Sequence, residues 1–274
     1  MATLTPPTLA SETIGHIGTF ELRNTLLMAW LAMIVLIVLA LLGRATGYKL
    51  IPGRFQAFLE MIVEGLYDFF DSILQDRTLT RKIFPMVSTF FLFIIVANWM
   101  GILPGVGSIT VTGMHHGHEM QIPIFRSMNA DVNVTLAFAL ISAIATQVLG
   151  VAAVGILPHL GKYIVAPWRD PIGFFVGILE FVGEFARLIS FVFRLFGNIF
   201  AGEVLLVVVS FLVPYLLPIP FYGLEVFVGF IQALVFSMLT LAFIKMAVSH
   251  HGDHAEEAAH HDQRGEKPAA TLPA

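Results

Sequence analysis

The stretch "SFVFRLFGNIFAGEVLLVVVSFLV" (residues 190–213) decides the fold class, because it places charged and amide side chains inside an otherwise apolar run. These side chains are Arg194, Asn198 and Glu203. A charged side chain at the centre of a bilayer costs about 2.5–3.5 kcal/mol on insertion scales. Either the segment lies outside a membrane, or these groups have a use that offsets the cost of burying them.

The composition places the chain in a membrane. Of its 274 residues, 57% are hydrophobic and only 12% are charged, whereas about 25% of the residues in a soluble domain are charged. The net charge of −4 gives no reason to expect nucleic acid as a partner, and the absence of cysteine excludes disulfides and thiolate chemistry. The sequence therefore predicts an all-α polytopic membrane protein.

Apolar runs long enough to cross a hydrocarbon core of about 30 Å predict a membrane domain over residues 26–248. The five predicted spans are approximately 26–43, 83–103, 132–157, 172–213 and 219–248. Residues 1–25 are polar and lack the basic start of a cleavable signal peptide, and 104–130 form an external loop. The His-rich residues 249–274 are predicted to be a disordered tail. Basic residues after the first span place the N-terminus outside and the C-terminus in the cytoplasm.

An amphipathic helix is predicted between the first two spans, over residues 55–75. Its polar side chains recur every three or four positions on a helix otherwise rich in Phe, Leu and Ile: Gln56, Glu60, Glu64, Asp68, Asp71 and Gln75. This pattern indicates an amphipathic helix with one polar face turned toward water, lying on the membrane surface or packed against another subunit.

The apolar run over 172–213 is too long for an upright span. About 41 residues at about 1.5 Å each would extend about 60 Å, twice the hydrocarbon thickness, and ordinary tilts of up to about 40° do not absorb the excess. This helix is therefore steeply tilted, bent or nearly flat, with Gly183, Gly197 and Gly202 as candidate bends. With the run over 219–248 it forms a long, strongly tilted hairpin.

Polar residues of the first hairpin helix share one face. At about 100° per residue, six of them fall within about 120°: Glu180, Glu184, Arg187, Ser190, Arg194 and Asn198. Glu203 falls on the side opposite Arg194, and Glu225 and Gln232 share a face of the second helix. Such a stripe is typical of a helix that lines an aqueous path through lipid.

The buried charges have two interpretations. They could pair with one another and hold the hairpin together, or they could relay protons. Four carboxylates accompany two arginines in the hairpin, so at least two carboxylates, with Glu203 and Glu225 as the candidates, are predicted to lack a cationic partner. Because unpaired carboxylates in a low dielectric take up protons, the count favours a proton relay.

The strings "RLFGNIFAGE" (194–203), "EVFVGFIQ" (225–232) and "ADVNVT" (130–135) resemble subunit a of the F-type ATP synthase, and the resemblance runs from the first span to Lys245. It implies a hairpin wrapped around a ring of c subunits, with two offset half-channels that couple proton flow to ring rotation and ATP synthesis. It also implies peripheral-stalk b subunits and the rest of the complex as partners. The expected location is the bacterial inner membrane, and neither a cofactor nor catalysis by this subunit itself is expected.

The resemblance also implies roles by position. Arg194 matches the stator arginine, whose permanent charge attracts ionised ring carboxylates and separates the half-channels. Positions near the cytoplasmic half-channel are Glu180 and Ser190, and accessory positions are Glu184 and Arg187. Positions of the external half-channel are Asn198, Glu203, Gln232 and Glu225, the last of which is histidine in some relatives.

A stand-alone proton-coupled secondary transporter is the alternative function. Such transporters usually show internal repeats and short broken helices, and neither is evident in this sequence. A subunit should co-purify with a ring of small hairpin proteins, whereas a transporter should work alone.

Remaining polar residues receive simpler interpretations. The "HHGHE" segment (115–119) lacks the H-E-x-x-H spacing of a metalloprotease, and no metal is predicted there or at the tail histidines. Interhelical hydrogen bonding is predicted for Asn98, Asp131, Asn133 and Gln147.

Overall fold

A computed structural model of the chain describes residues 11–18, 20–45, 51–103, 105–107, 109–115, 118–161, 163, 171–213 and 216–249. The predicted tail, apart from Ser249, lies outside the described residues. Five described helices are long and apolar enough to cross a membrane. The predicted all-α polytopic class is therefore confirmed.

Seven α-helices follow one another along the described part of the chain, and the short fifth helix was not predicted. They are α1 (Asn24–Ala45), α2 (Arg54–Leu74), α3 (Arg77–Ile102), α4 (Val132–Val154), α5 (Ile156–Gly161), α6 (Pro171–Leu212) and α7 (Pro218–Ser249). Helix α4 ends where Gly155 adopts a φ of 96°, which few residues other than glycine accept, and the short α5 follows. Helical hydrogen bonding runs without interruption through the three glycines proposed as bends in α6.

Two β-hairpins occupy the polar segments for which the sequence predicts no membrane span. Strands β1 (Thr13–Ile17) and β2 (Phe20–Arg23) form one, and β3 (Thr110–His115) and β4 (His118–Pro123) form the other, both antiparallel. The predicted external loop over 104–130 therefore contains a hairpin, β3–β4, that the sequence did not predict. Strands of four to six residues are too short to give a clear period-2 pattern.

A tight turn joins α2 to α3. Gln75 ends α2 in the left-handed conformation, with φ 58°, and Asp76 then caps α3 by accepting from the backbone N–H groups of Thr78 and Leu79 at 2.8 and 3.2 Å. Because of this cap, α3 begins at Arg77, ahead of the apolar run that predicted a span from residue 83.

Helix α2 packs one face against its own chain. Phe70 and Leu74 join a buried cluster with side chains of α3 and α7, and Lys245 Nζ on α7 donates to the carbonyl of Ile73 at 2.9 Å. The other face exposes large apolar side chains, including Phe58 and Met61. The exposed face suits either lipid or another subunit, the two alternatives that the sequence predicts.

An aromatic core fixes α6 and α7 against α3 and α4. Phe236 lies at its centre, with ring centroids 5.6 Å from Phe90 and 5.0 Å from Phe191. The opposite side of α6 is uncovered in the single chain, where Phe181 and Phe193 are 65% and 61% exposed. Helix α6 therefore has one face packed in the core and one long apolar face turned outward.

Buried hydrogen bonds connect the start of α1 to Asp131, which caps α4, and to the end of β4. Thr25 Oγ1 donates to Asp131 Oδ2 at 3.1 Å, Asn24 Nδ2 donates to the carbonyl of Pro123 at 3.3 Å, and the Asn133 backbone N–H donates to Asp131 Oδ1 at 2.9 Å. The predicted interhelical role of Asp131 is confirmed, whereas Asn133 bonds within the cap of its own helix.

The protonation of Asp131 is coupled to this arrangement. Burial alone would raise the pKa of its carboxyl, but hydrogen bonds from Ser11, Asn133 and Thr25 together hold the pKa below its usual value. A carboxyl whose pKa is lower in the folded than in the unfolded protein stabilises the fold above the unfolded-state pKa, and the stabilisation is lost as the pH falls through the folded-state pKa.

We expect Asp131→Ala to lower the free energy of unfolding by about 1–3 kcal/mol at pH 7, because buried donors lose their acceptor. Thermal unfolding of the purified chain in detergent measures the effect. Asp76→Ala, at an exposed cap, is the matched control and should cost about 1 kcal/mol. The excess over that control should shrink below a pH of about 4. Equal costs for both variants at every pH would contradict this account of Asp131.

Candidate functional site

The polar side chains of α6 line two cavities. A first cavity of about 380 Å³ lies beside the C-terminal half of the helix and is lined by Arg126, Glu203, Tyr222 and Glu225, among others. A second cavity of about 260 Å³ lies beside the N-terminal half and is lined by Arg187, Ser190 and Arg194, among others. Five of the predicted site residues line these two cavities, Glu203 and Glu225 the first and Arg187, Ser190 and Arg194 the second.

Glu203 is held in the first cavity by a buried arginine. Arg126, in the segment before α4, donates from Nε to Glu203 Oε1 at 3.1 Å and from Nη2 to Oε2 at 3.3 Å. The side chain of Arg126 is 4% exposed and that of Glu203 is 26% exposed. The prediction that Glu203 lacks a cationic partner is wrong, because the partner lies outside the membrane spans in which arginines were counted.

Glu225 reaches the same cavity from α7 but has no such partner. It is 6% exposed, and no hydrogen bond or ion pair to its carboxylate occurs within the described ranges of the chain. Its carboxylate lies against Gly202 on α6, where a Cβ would overlap both oxygens. Glycine at 202 therefore permits the carboxylate to approach the helix beside Glu203.

An amide pair joins the two hairpin helices near Arg194. Asn198 Nδ2 on α6 donates to Gln232 Oε1 on α7 at 2.6 Å, and Gln232 is 3% exposed. A second amide contact lies beside the first cavity, where Asn98 on α3 donates to the carbonyl of Gly229 at 3.0 Å. The predicted interhelical role of Asn98 is therefore confirmed.

Arg194 lies at the boundary of the second cavity. Its Nη2 donates to Ser190 Oγ, one turn earlier, at 3.2 Å, and its side chain is partly exposed. Among the residues that the structure describes, no carboxylate forms an ion pair with Arg194. A guanidinium in this position keeps its charge and has donors available for an incoming anion.

Glu184 and Arg187 form an ion pair within α6. Arg187 Nη1 lies 3.1 Å from both Glu184 oxygens, and its guanidinium carbon lies 3.9 Å from the ring centre of Phe243, a cation–π contact. Glu180 lies one turn earlier and is half-buried. Of this accessory pair, Arg187 lines the second cavity.

A chain of hydrogen bonds leads from this ion pair toward α4 and α5. Tyr163 Oη donates to Glu184 Oε1 at 3.5 Å, Gln147 Nε2 donates to Tyr163 Oη at 3.4 Å, and Gln147 Oε1 lies 2.6 Å from His159 Nε2. The predicted hydrogen bonding of Gln147 between helices is confirmed by its contact with His159 of α5.

Sequence reasoning missed Arg126, His159 and Tyr163. Each lies outside the long apolar runs, where a polar residue gives no sign of being buried. The position of Arg126 shortly before the matched string "ADVNVT" is the only local hint. Within the described residues, no group of three or more His, Asp or Glu side chains could hold a metal ion.

Comparisons with known proteins point to one family. The family model described as "ATP synthase A chain" matches residues 26–245. ATP synthase subunit a of Syntrophobacter fumaroxidans is 32% identical over 242 residues, covering 87% of this chain and 90% of the relative. ATP synthase subunit a of Gloeobacter violaceus is 33% identical over 257 residues, covering 90% of this chain and 95% of the relative.

We expect Gly202→Ala to lower thermal stability, because the new Cβ must displace the buried Glu225 carboxylate, and forced repacking of this kind costs about 1–3 kcal/mol. Gly183→Ala is the matched control on the same helix, since a Cβ there meets nothing within 4 Å. The control should gain up to about 1 kcal/mol from helix propensity. Equal gains for both variants in thermal unfolding would show that Glu225 does not lie against Gly202.

Proposed function

Because the chain belongs to the family of ATP synthase A chains, we propose that its two cavities are the two half-channels of a proton path. Members of this family form the proton-translocating membrane subunit of the F-type ATP synthase and are not catalytic by themselves. The first cavity would serve the external side and the second the cytoplasmic side. Protons would reach the ring of c subunits through one half-channel and leave through the other.

Arg194 separates the two half-channels in this proposal. Its guanidinium stays protonated under biological conditions, so it attracts each arriving ring carboxylate in the ionised form and passes no proton itself. The observation that carries the proposal is its position: Arg194 is partly exposed, borders the second cavity and has no carboxylate partner among the described residues. A purely structural arginine would be expected to have one.

The external half-channel combines the first cavity with the amide pair beyond it. Glu203 and Glu225 line the cavity, and Asn198 with Gln232 continues the polar surface toward Arg194. The cytoplasmic half-channel begins near Glu180, follows the Glu184–Arg187 pair and ends at Ser190, which bonds Arg194.

The exposed apolar face of α6 is the proposed contact surface for the ring of c subunits. Its large side chains, such as Phe181 and Phe193, lie on a helix too long for an upright span, which supports a tilted hairpin against a curved partner. Peripheral-stalk b subunits and the remainder of the complex are the other proposed partners. The chain would lie in the bacterial inner membrane with its N-terminus outside and its C-terminus in the cytoplasm.

The driving force follows from the same geometry. Each proton that crosses gains about 2.3 kcal/mol per 100 mV of membrane potential. In this proposal the gradient gives the rotation its direction, because a ring carboxylate takes up a proton from one half-channel and releases it into the other. A stand-alone transporter is not supported, because the relatives named above are subunits of ATP synthase.

We expect Arg194→Lys to leave the complex assembled while ATP synthesis and ATP-driven pumping fall to background. A buried lysine loses its charge more readily than arginine does, and its strongly hydrated ammonium lacks the planar fork that binds and releases a carboxylate. Assays in inverted vesicles measure both activities. Arg77→Lys, at a side chain that is 88% exposed, is the matched control and should behave as wild type. Near-normal synthesis by the Arg194 variant would contradict its role as separator.

A further inference from the structure

We infer that Asn98 and Trp99, which are adjacent on α3, are positioning residues that fix the height and the rotation of α7 at Glu225. In doing so they hold the Glu225 carboxylate against Gly202, and proton flow through the first cavity depends on this placement. The part of the inference that concerns proton flow rests on the proposed function of that cavity, whereas the placement of α7 does not.

Two neighbouring side chains of α3 donate hydrogen bonds to the backbone of α7. Trp99 Nε1 donates to the carbonyl of Val226 at 3.1 Å, and Asn98 Nδ2 donates to the carbonyl of Gly229 at 3.0 Å. Because a carbonyl oxygen has two lone pairs, these bonds leave the helical hydrogen bonding of α7 unbroken over Pro218–Ser249. The two carbonyls lie three residues apart, or about 4.5 Å along the helix axis. Two anchored points at different heights oppose both sliding and rotation of α7, which a single contact would not.

A buried amide network fixes the direction of the Asn98 side chain. Asn129, which precedes α4, donates from Nδ2 to Asn98 Oδ1 at 2.6 Å, and Asn98 and Asn129 are 1% and 0% exposed. Since an amide side chain donates only from its nitrogen, this contact directs the NH2 group of Asn98 toward α7. Gly229 allows the approach, because a Cβ there would lie only 3.1 Å from Asn98 Cβ.

The anchored turn of α7 carries Glu225. Glu225 immediately precedes Val226 and lies four residues before Gly229, so it shares a face of the helix with Gly229. Its carboxylate lies against Gly202 on α6, and within the described parts of the chain it makes no hydrogen bond or ion pair that would hold it there. The place of this carboxylate in the first cavity therefore depends on where α7 is held, and the contacts with α3 hold α7 within one turn of it.

Apolar packing between the same two helices does not impose this restriction. The rings of Phe91 on α3 and Phe230 on α7 have centroids 6.0 Å apart in an edge-on contact, but hydrophobic contacts are non-directional and tolerate shifts that would break a hydrogen bond. Trp99 is 44% exposed, so its indole contributes less to the core than a buried ring would. Its distinguishing property at this position is the N–H donor, which phenylalanine lacks.

A double-mutant cycle on the full chain in detergent tests the placement, with thermal unfolding as the measurement. Gly202→Ala inserts a Cβ where the Glu225 carboxylate lies, and Trp99→Phe removes one of the two donors that hold α7. With α7 less restrained the carboxylate can move aside, so the loss of Tm caused by Gly202→Ala should fall by about half in the Trp99→Phe background. Asn98→Ala removes the other donor and should act in the same direction.

Two controls separate positioning from a general loss of stability. Trp30→Phe is the matched substitution, because Trp30 lies on α1 and is 43% exposed, and its effect should add to that of Gly202→Ala. With Glu225→Ala in place, Trp99→Phe and Gly202→Ala should no longer be coupled, a result that a merely structural contact of Trp99 would not produce.

Additive losses in the Trp99 cycle would overturn the inference, as would equal coupling at Trp30. If Gly202→Ala alone prevents folding, recovery of the fold by Trp99→Phe is the expected result, and no recovery would overturn the inference. The Trp99 cycle decides alone if Asn98→Ala does not fold.

The consequence for proton flow is measured in the complete ATP synthase complex, as ATP synthesis in inverted vesicles. We expect Trp99→Phe to assemble normally and to lower the rate about two-fold or more, because a misplaced reacting group loses rate steeply, whereas Trp30→Phe should keep the wild-type rate. A wild-type rate for Trp99→Phe would overturn the inference. Arg194→Lys in the same assay tests the proposed function separately: normal synthesis there would remove the function and leave the thermal coupling, which does not depend on it.

Discussion

A charge inside the hydrocarbon layer must be paired or must face water, and α6 meets this constraint differently along its length. Near its start, Glu184 pairs with Arg187. Near its end, Glu203 pairs with Arg126 from outside the helix. Arg194 lies between them, partly exposed and without a carboxylate partner in the described parts of the chain. Arg194 therefore lies between two complete ion pairs, and its guanidinium is available to bind a group of another subunit.

The fold keeps these groups in register by apolar packing as well as by polar contacts between helices, such as Asn198–Gln232. The aromatic core around Phe236 fixes α6 and α7 against α3 and α4, and close-packed interiors hold such contacts with little freedom. Small residues then allow the polar groups to approach: Gly202 makes room for the Glu225 carboxylate, and Gly229 makes room for Asn98. The site is therefore carried by rigid helices, which suits a path whose distances must stay constant while a partner moves past it.

Much of this architecture could be predicted from the residues. The apolar runs predicted five membrane helices, and the length of the run after residue 171 predicted a helix too long to stand upright, seen as the 42 residues of α6. Arg194 and Glu203 line different cavities, because their side chains point about half a turn apart around the helix. The short strands and the Arg126 contact could not be predicted, because pairing between residues 126 and 203 is a tertiary contact that no local period encodes. Counting charges only within the spans therefore overestimated the number of unpaired carboxylates.

The most direct measurement is a structure of the intact complex at a resolution that shows ordered water. The account predicts that the ring is seated on the exposed face of α6, with Arg194 opposite a ring carboxylate. It also predicts water reaching Glu225 from one side of the membrane and Ser190 from the other, with no continuous water between them. A ring seated elsewhere, or one unbroken file of water past Arg194, would contradict it.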